Sequence, residues 1–167
     1  MSNAVAIQNR IVYTGGTFDL FHYGHVNFLK RCAEYGDVYV SVNTDKFVQD
    51  FKGITPTDNT WKRIANLARC RYVKDVVINE KGKDSKPAIE SVSPNLIAIG
   101  SDWLTKDYLS QMSLTEEWLN QREIGLLYLP YTYGISSTIL RNEAQKSDCP
   151  PQANDVRYHL RGHARCE

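Results

Sequence analysis

Five short apolar runs punctuate this chain: Ile11-Val12-Tyr13, Val38 to Val42, Val73 to Ile78, Leu96 to Ile99 and Leu126 to Leu129. Each is too short for a helix, is rich in β-branched or aromatic residues, and stops at Gly, Pro or a polar stretch, as buried strands do. Between them lie segments with a different period. From Gly24 to about Tyr35, Val26, Phe28, Leu29, Cys32 and Ala33 mark one helical face, and Gly36 ends it. From Trp61 to Arg71, Ile64, Leu67 and Ala68 do the same. Ser113-Leu114-Thr115-Glu116 has the spacing of a capping box and predicts a helix ending near Glu123, and Ser136 or Ser137 caps a last one. Lys81 to Ser93 is polar and weakly patterned, and Thr44 leads through a short segment into a loop with Gly53, Pro56 and Asn59. Strands alternating with helices predict an α/β domain, a Rossmann-like five-stranded parallel sheet with helices on both faces.

The 167 residues suffice for one domain with a substantial core. The expected layout is an N-terminal extension over 1–10, a domain over 11–145 and a loosely held polar tail over 146–167. Ser2-Asn3-Ala4 has the composition of a cloning scar and receives no role. The formal net charge is +1, so no strong field recruits nucleic acid or an anionic membrane. Any bound anion must be held by a local site. No apolar run is long enough to insert in a membrane, and Cys32, Cys70, Cys149 and Cys166 form no C-x-x-C pair; two of them fall in apolar-periodic segments, which predicts buried free thiols and a cytoplasmic location.

The chemistry concentrates at the end of the first strand. Gly15-Gly16-Thr17-Phe18-Asp19 turns into a helix beginning near His22-Tyr23-Gly24-His25. Glycines admit a phosphate to the backbone N–H groups, and a helix start adds a favourable dipole. Histidines three apart in a first turn face one side, where their N–H groups meet charge developing on a phosphoryl group. A lone His there is ordinarily a structural residue, and no third ligand accompanies the pair to make a metal site. His159 and His163 of the tail read as solvated.

The complete string decides between those readings. Gly16-Thr17-Phe18-Asp19 followed by His22-Tyr23-Gly24-His25 resembles the G-T-F-D and H-x-G-H signature of the cytidylyltransferase family, which includes enzymes acting on glycerol 3-phosphate, choline phosphate and ethanolamine phosphate. The resemblance continues over roughly residues 11–145. Val42 to Phe47 is similar to a segment whose aspartate, here Asp45, faces the acceptor, and Phe51-Lys52-Gly53 to a loop whose lysine reaches the nucleotide phosphates. Arg71 to Val76 resembles an R-Y-V-D-E-V strand that often builds a homodimer interface, with Lys74-Asp75 in place of Asp-Glu. Gly100-Ser101-Asp102-Trp103 resembles a G-D-D-W turn, with Ser101 in place of the first Asp. Tyr131 to Thr138 resembles R-T-E-G-I-S-T-T, with Tyr131 in place of a phosphate-binding Arg. Arg141 is positioned to supply that charge.

The resemblance implies a catalytic set of His22, His25 and Lys52. It implies nucleotide contacts from Gly15, Gly16, Thr17, Phe18, Gly24, Gly100, Asp102, Thr132, Gly134, Ile135, Ser136, Ser137, Thr138 and Arg141, and acceptor contacts from Asp19, Asp45, Arg63 and Trp103. It further implies CTP with Mg²⁺ carried by the nucleotide rather than by protein side chains, pyrophosphate as product, and a homodimer. Glycerol 3-phosphate is the first acceptor, then ethanolamine phosphate or a phosphonate. Choline phosphate fits least, because no Trp follows Val77 to Lys81 to cage a quaternary ammonium. Two alternatives are an adenylyltransferase acting on a phosphorylated cofactor precursor, since such enzymes share H-x-G-H, and a non-catalytic nucleotide-binding regulatory module.

Overall fold

In a computed structural model describing residues 10–146, the chain forms a single sheet of five parallel strands in the order β3-β2-β1-β4-β5. The strands are β1 (Ile11–Gly16), β2 (Asp37–Asn43), β3 (Asp75–Asn79), β4 (Leu96–Gly100) and β5 (Gly125–Leu129). The helices are α1 (Tyr23–Ala33), α2 (Asp45–Lys52), α3 (Thr60–Ala68), α4 (Lys86–Val92), α5 (Tyr108–Gln111), α6 (Glu116–Asn120) and α7 (Ser137–Lys146), with a 3₁₀ turn over Ser101–Trp103. The N-terminal extension and the tail, with His159, His163, Cys149 and Cys166, lie outside the described residues.

Successive strand residues point to opposite faces, so each strand feeds two cores. On one face Val12, Val38, Val40, Val42, Ala98 and Leu129 pack with Leu29 and Cys32 of α1, Leu67 of α3, and Cys70. On the other, Tyr13, Ile97 and Ile99 pack with Ala88, Ile89 and Val92 of α4, with Tyr108, and with Leu119 of α6. A parallel sheet covered on both faces explains the near-continuous apolar strand runs. Cys32 and Cys70 are buried free thiols, and burial pushes the Cys32 thiol up to about 12.

Three helical features differ from the sequence expectation. Asp45–Lys52, expected as a short segment leading into a loop, is a helix capped by the Thr44 hydroxyl, which accepts from the Phe47 N–H at 3.2 Å. It buries only Val48, too little for an apolar stripe to be visible. Within the polar stretch after Lys81, α4 presents Ala88, Ile89 and Val92 to the core while its other side stays polar. The cap of α6 is Thr115 rather than Ser113: its hydroxyl accepts from the Trp118 N–H at 3.1 Å, while Ser113 takes a left-handed φ of 56°. The last helix is capped by Ser136, whose hydroxyl accepts from the Ile139 N–H.

β1 starts beside Gly36, where a Cβ would stand 2.2 Å from the Arg10 carbonyl oxygen. Neither backbone can yield without breaking the Asp37 N–H bond to that same carbonyl. Gly36→Ala is therefore expected to destabilise the protein by about 2–3 kcal/mol, readable as a lower midpoint in urea denaturation with an unchanged slope.

Candidate active site

β1 is flanked by β2 on one side and β4 on the other, so the chain reverses its direction of travel across the sheet between β1 and β4. At such a point the loops leaving neighbouring strands diverge and open a crevice beyond their carboxyl ends. Here they enclose a cleft of about 440 Å³. Gly15, Gly16, Thr17 and Phe18 line its floor, Gly100, Asp102 and Trp103 one wall, and Thr132, Ile135, Ser136, Ser137, Thr138 and Arg141 another. His22, Gly24, His25 and Lys52 also line it, as does Asp19. Gly134, at φ 85°, does not line the cleft.

Two bulky residues in the glycine turn, Phe18 and Leu20, sit in the left-handed region at φ 53° and 50°. Such conformations are costly for non-glycine residues and persist only where the surroundings enforce them. Here the enforcing contacts converge on Asp19, between them. Its buried carboxylate accepts from the backbone N–H groups of Thr57 and Asp58 and from Arg141 at 2.7 Å. Its carbonyl accepts from the Ser137 hydroxyl at 2.6 Å. The glycine turn is thus clamped to the α3 entry loop and to α7.

The turn delivers His22 and His25 as a stacked pair with ring centroids 3.8 Å apart. Phe18 and Phe21 flank His25. Burial pushes the His25 pKa down to about 3, with the neighbouring His22 adding to the effect, and burial lowers His22 as well. Two imidazolium rings in van der Waals contact would repel strongly, so the pair is neutral at physiological pH. His25 Nδ1 accepts from the His22 backbone N–H at 3.4 Å, which leaves Nε2–H as the His25 donor. Gly24 permits the stack: a Cβ there would lie 3.0 Å from the His22 ring and from the Ile135 side chain.

Lys52 closes α2, and its ammonium donates to the Thr17 hydroxyl at 3.3 Å. Burial lowers its pKa, as do the cationic Arg141, Lys106 and Arg63 around it. Such a convergence of positive groups on a glycine turn suits a polyanion.

Arg63 and Asp45, expected at the acceptor, do not line the cleft. Arg63 is completely buried, and its five N–H groups go to the carbonyls of Asp58, Thr17 and Asn43, the Thr60 hydroxyl and the Asp45 carboxylate. Asp45 also accepts from the Thr60 N–H. Burial would raise the Asp45 pKa, but the bonds from Arg63 and Thr60 outweigh it and hold the carboxyl low. Both residues support the cleft from behind. Asp19, also expected at the acceptor, reaches the cleft with its carboxylate already engaged.

Ser101 and Tyr131, the two departures in the resemblance, are partners. The Tyr131 N–H donates to the Ser101 hydroxyl at 3.0 Å, and the Tyr131 O–H donates to the Ile135 carbonyl at 3.2 Å. The segment that carries Ile135 beside Gly24 is pinned by these bonds. Arg141 lines the cleft while its charge is shared with Asp19. Sequence reasoning did not single out Tyr13, Asn43, Asn79, Ser85 and Tyr108, which also line the cleft. They come from separate strands and loops with no common motif, and only the sheet brings them together.

A family model described as cytidylyltransferase-like matches residues 13–143. The chain belongs to the cytidylyltransferase-like family. It is 42% identical over 123 residues to an FAD synthase of Pyrococcus horikoshii, covering 73% of this chain and 81% of that one. It is 34% identical over 140 residues to a glycerol-3-phosphate cytidylyltransferase of Staphylococcus aureus, covering 82% and 96%. A lipopolysaccharide core biosynthesis protein from Thermoplasma volcanium shares the fold, with a TM-score of 0.60 at 22% identity over 74% of this chain and 96% of that one.

The neutral histidine pair makes a signed prediction. Unfolded histidine protonates near pH 6.5, whereas folded His25 resists protonation down to about 3. As pH falls from 7 towards 4 the unfolded state therefore takes up more protons, and stability falls. His25→Asn is expected to flatten the dependence of urea-derived stability on pH across that window.

Proposed function

We propose that the protein transfers a CMP unit from CTP to a small phosphorylated alcohol and releases pyrophosphate. Glycerol 3-phosphate is the leading acceptor, followed by ethanolamine phosphate or a phosphonate. The observation that carries this reading is the neutral, stacked His22–His25 pair, held over the glycine turn and facing the same cleft as Lys52.

An oxygen of the acceptor phosphate attacks the α-phosphorus of CTP in line. The new P–O bond forms as the bond to the β-phosphate bridging oxygen breaks, and the electron pair leaves with pyrophosphate. The nucleophile is already anionic, so no base is required, and the protein's task is alignment and charge stabilisation. In this reading His22 and His25 donate neutral N–H groups to the α-phosphate and the leaving oxygen. Neutral donors suit this role, because they stabilise charge developing in the transition state without binding the substrates' charges as tightly. Lys52 spans the transfer, and the Gly16 to Phe18 turn and Ser136, Ser137 and Thr138 position the triphosphate. The cleft offers hydroxyls and Asp102, oxygen donors compatible with a Mg²⁺ ion that takes its other ligands from phosphate and water. Bound to the nucleotide, that ion screens the β and γ charges.

The cytidylyltransferase-like family model and the similarity to a glycerol-3-phosphate cytidylyltransferase over 96% of its length support the cytidylyl reading. The FAD synthase relatives favour a second, adenylyl transfer to a phosphorylated cofactor precursor. A homodimer and a cytoplasmic location belong to the reading as well. Among the described residues no helix is long and apolar enough to cross a membrane. Arg71 to Lys74, whose sequence implied the dimer, line an open hollow with Gly36, Asp37 and Val38.

The test is pyrophosphate release with CTP or ATP, Mg²⁺ and a panel of phosphorylated acceptors. The expected result is acceptor-dependent release with CTP, lowered about 10²–10³-fold in His22→Ala. Release with ATP alone moves the assignment to adenylyl transfer. Polyanion binding is also expected to raise the depressed Lys52 pKa, visible as slower reductive methylation of that lysine when CTP is present.

A further inference from the structure

Asn79 ends β3 and is 3% exposed, yet it lines the cleft. Both hydrogens of its side-chain amide are used: Nδ2 donates to the Gly82 carbonyl at 2.7 Å and to Asn43 Oδ1 at 3.0 Å. The amide cannot turn over, because the Gly82 carbonyl only accepts and would then face another oxygen. Its own carbonyl oxygen, Oδ1, is buried without a partner. A buried acceptor left unmatched is costly, and because Oδ1 is closed to solvent, a donor that completes it from the cleft must displace its cover.

The surroundings define that donor. Ser85, Tyr13 and Tyr108 line the same cleft and are buried. Burial raises the Tyr13 hydroxyl to about 12 and raises Tyr108 further, so both phenols stay uncharged. Among the described residues the carboxylates lining the cleft are Asp19 and Asp102. Asp19 is engaged by Arg141, and Asp102 follows β4, three strand spacings from β3, or roughly 14 Å. An ammonium brought to Asn79 would therefore be buried with no counter-charge, which is strongly unfavourable. A hydroxyl would be matched. β3 lies two strand spacings, roughly 10 Å, from β1, whose glycine turn leads into the histidine pair, so the donor belongs to the end of the acceptor remote from its phosphate.

We infer that Asn79 Oδ1, held by Asn43 and Gly82, accepts a hydrogen bond from a hydroxyl at the far end of the acceptor, and that Asn79 selects uncharged polyol phosphates over amino-alcohol phosphates. The inference rests on the nucleotidyl-transfer reading above and adds the residue that chooses the acceptor.

Steady-state kinetics with the full chain test it. Glycerol 3-phosphate is compared with 1,2-propanediol phosphate, which lacks the terminal hydroxyl, and with ethanolamine phosphate. The wild-type protein is expected to favour glycerol 3-phosphate over the deoxy analogue by about 10–100-fold in kcat/KM. Asn79→Ala is expected to raise KM for glycerol 3-phosphate about 10-fold, leave KM for the nucleotide unchanged, and erase most of the preference over the deoxy analogue. Asn79→Asp places a carboxylate at the same point and is expected to shift the kcat/KM ratio towards ethanolamine phosphate by about 10-fold or more. Equal use of glycerol 3-phosphate and its deoxy analogue by the wild-type protein overturns the inference without any variant having to fold, and leaves nucleotidyl transfer intact. Turnover of none of the acceptors with CTP or ATP overturns the transfer reading and the inference with it.

Discussion

The cleft depends on one buried cation. Arg63 is fully enclosed, and its five guanidinium hydrogens have acceptors on four parts of the site's frame: the glycine turn at Thr17, the end of β2 at Asn43, the start of α2 at Asp45, and the α3 entry at Asp58 and Thr60. A planar group with five fixed donors is the side chain able to hold that many acceptors in one arrangement, and lysine would leave several of them unmatched. The Asp45 carboxylate balances its charge, which makes the burial tolerable. A second clamp repeats the logic nearer the surface, where Arg141 and Ser137 of α7 grip the carboxylate and carbonyl of Asp19.

These clamps explain how the turn between them can hold two non-glycine residues in left-handed conformations. The turn leads into the stacked rings of His22 and His25, and their burial favours the neutral forms. Catalytic character in this site would then come from rigidity. In the proposed reaction neutral N–H donors would be presented without reorganisation, and the positive charge a polyanion needs would come separately from Lys52 and its cationic neighbours. Tyr131 and Ser101 fit the same scheme. They hold the segment bearing Ile135 through hydrogen bonds, where the resemblance would place an arginine and an aspartate.

Much of this was legible in the residues. The strand runs, the glycine turn, the two histidines three apart and the Ser-Ser-Thr helix start are local signals, set by side-chain period, backbone freedom and capping chemistry. They placed the strands and the glycine turn, and the resemblance supplied many of the residues that line the cleft. What escaped was of two kinds. α2 and α4 are short and bury few residues, so no stripe announces them. The resemblance implied Arg63 and Asp45 at the acceptor, and nothing local reveals that five acceptors close around the guanidinium.

The sequence by itself determined the α/β alternation and the glycine turn, because strands, helix starts and glycine turns depend on neighbouring residues. Only the tertiary structure decided which charges face the cleft and which brace it, and that Asn43, Asn79, Ser85, Tyr13 and Tyr108 line one cleft. Those outcomes depend on strand order and on burial, and both arise from contacts between residues far apart in the chain.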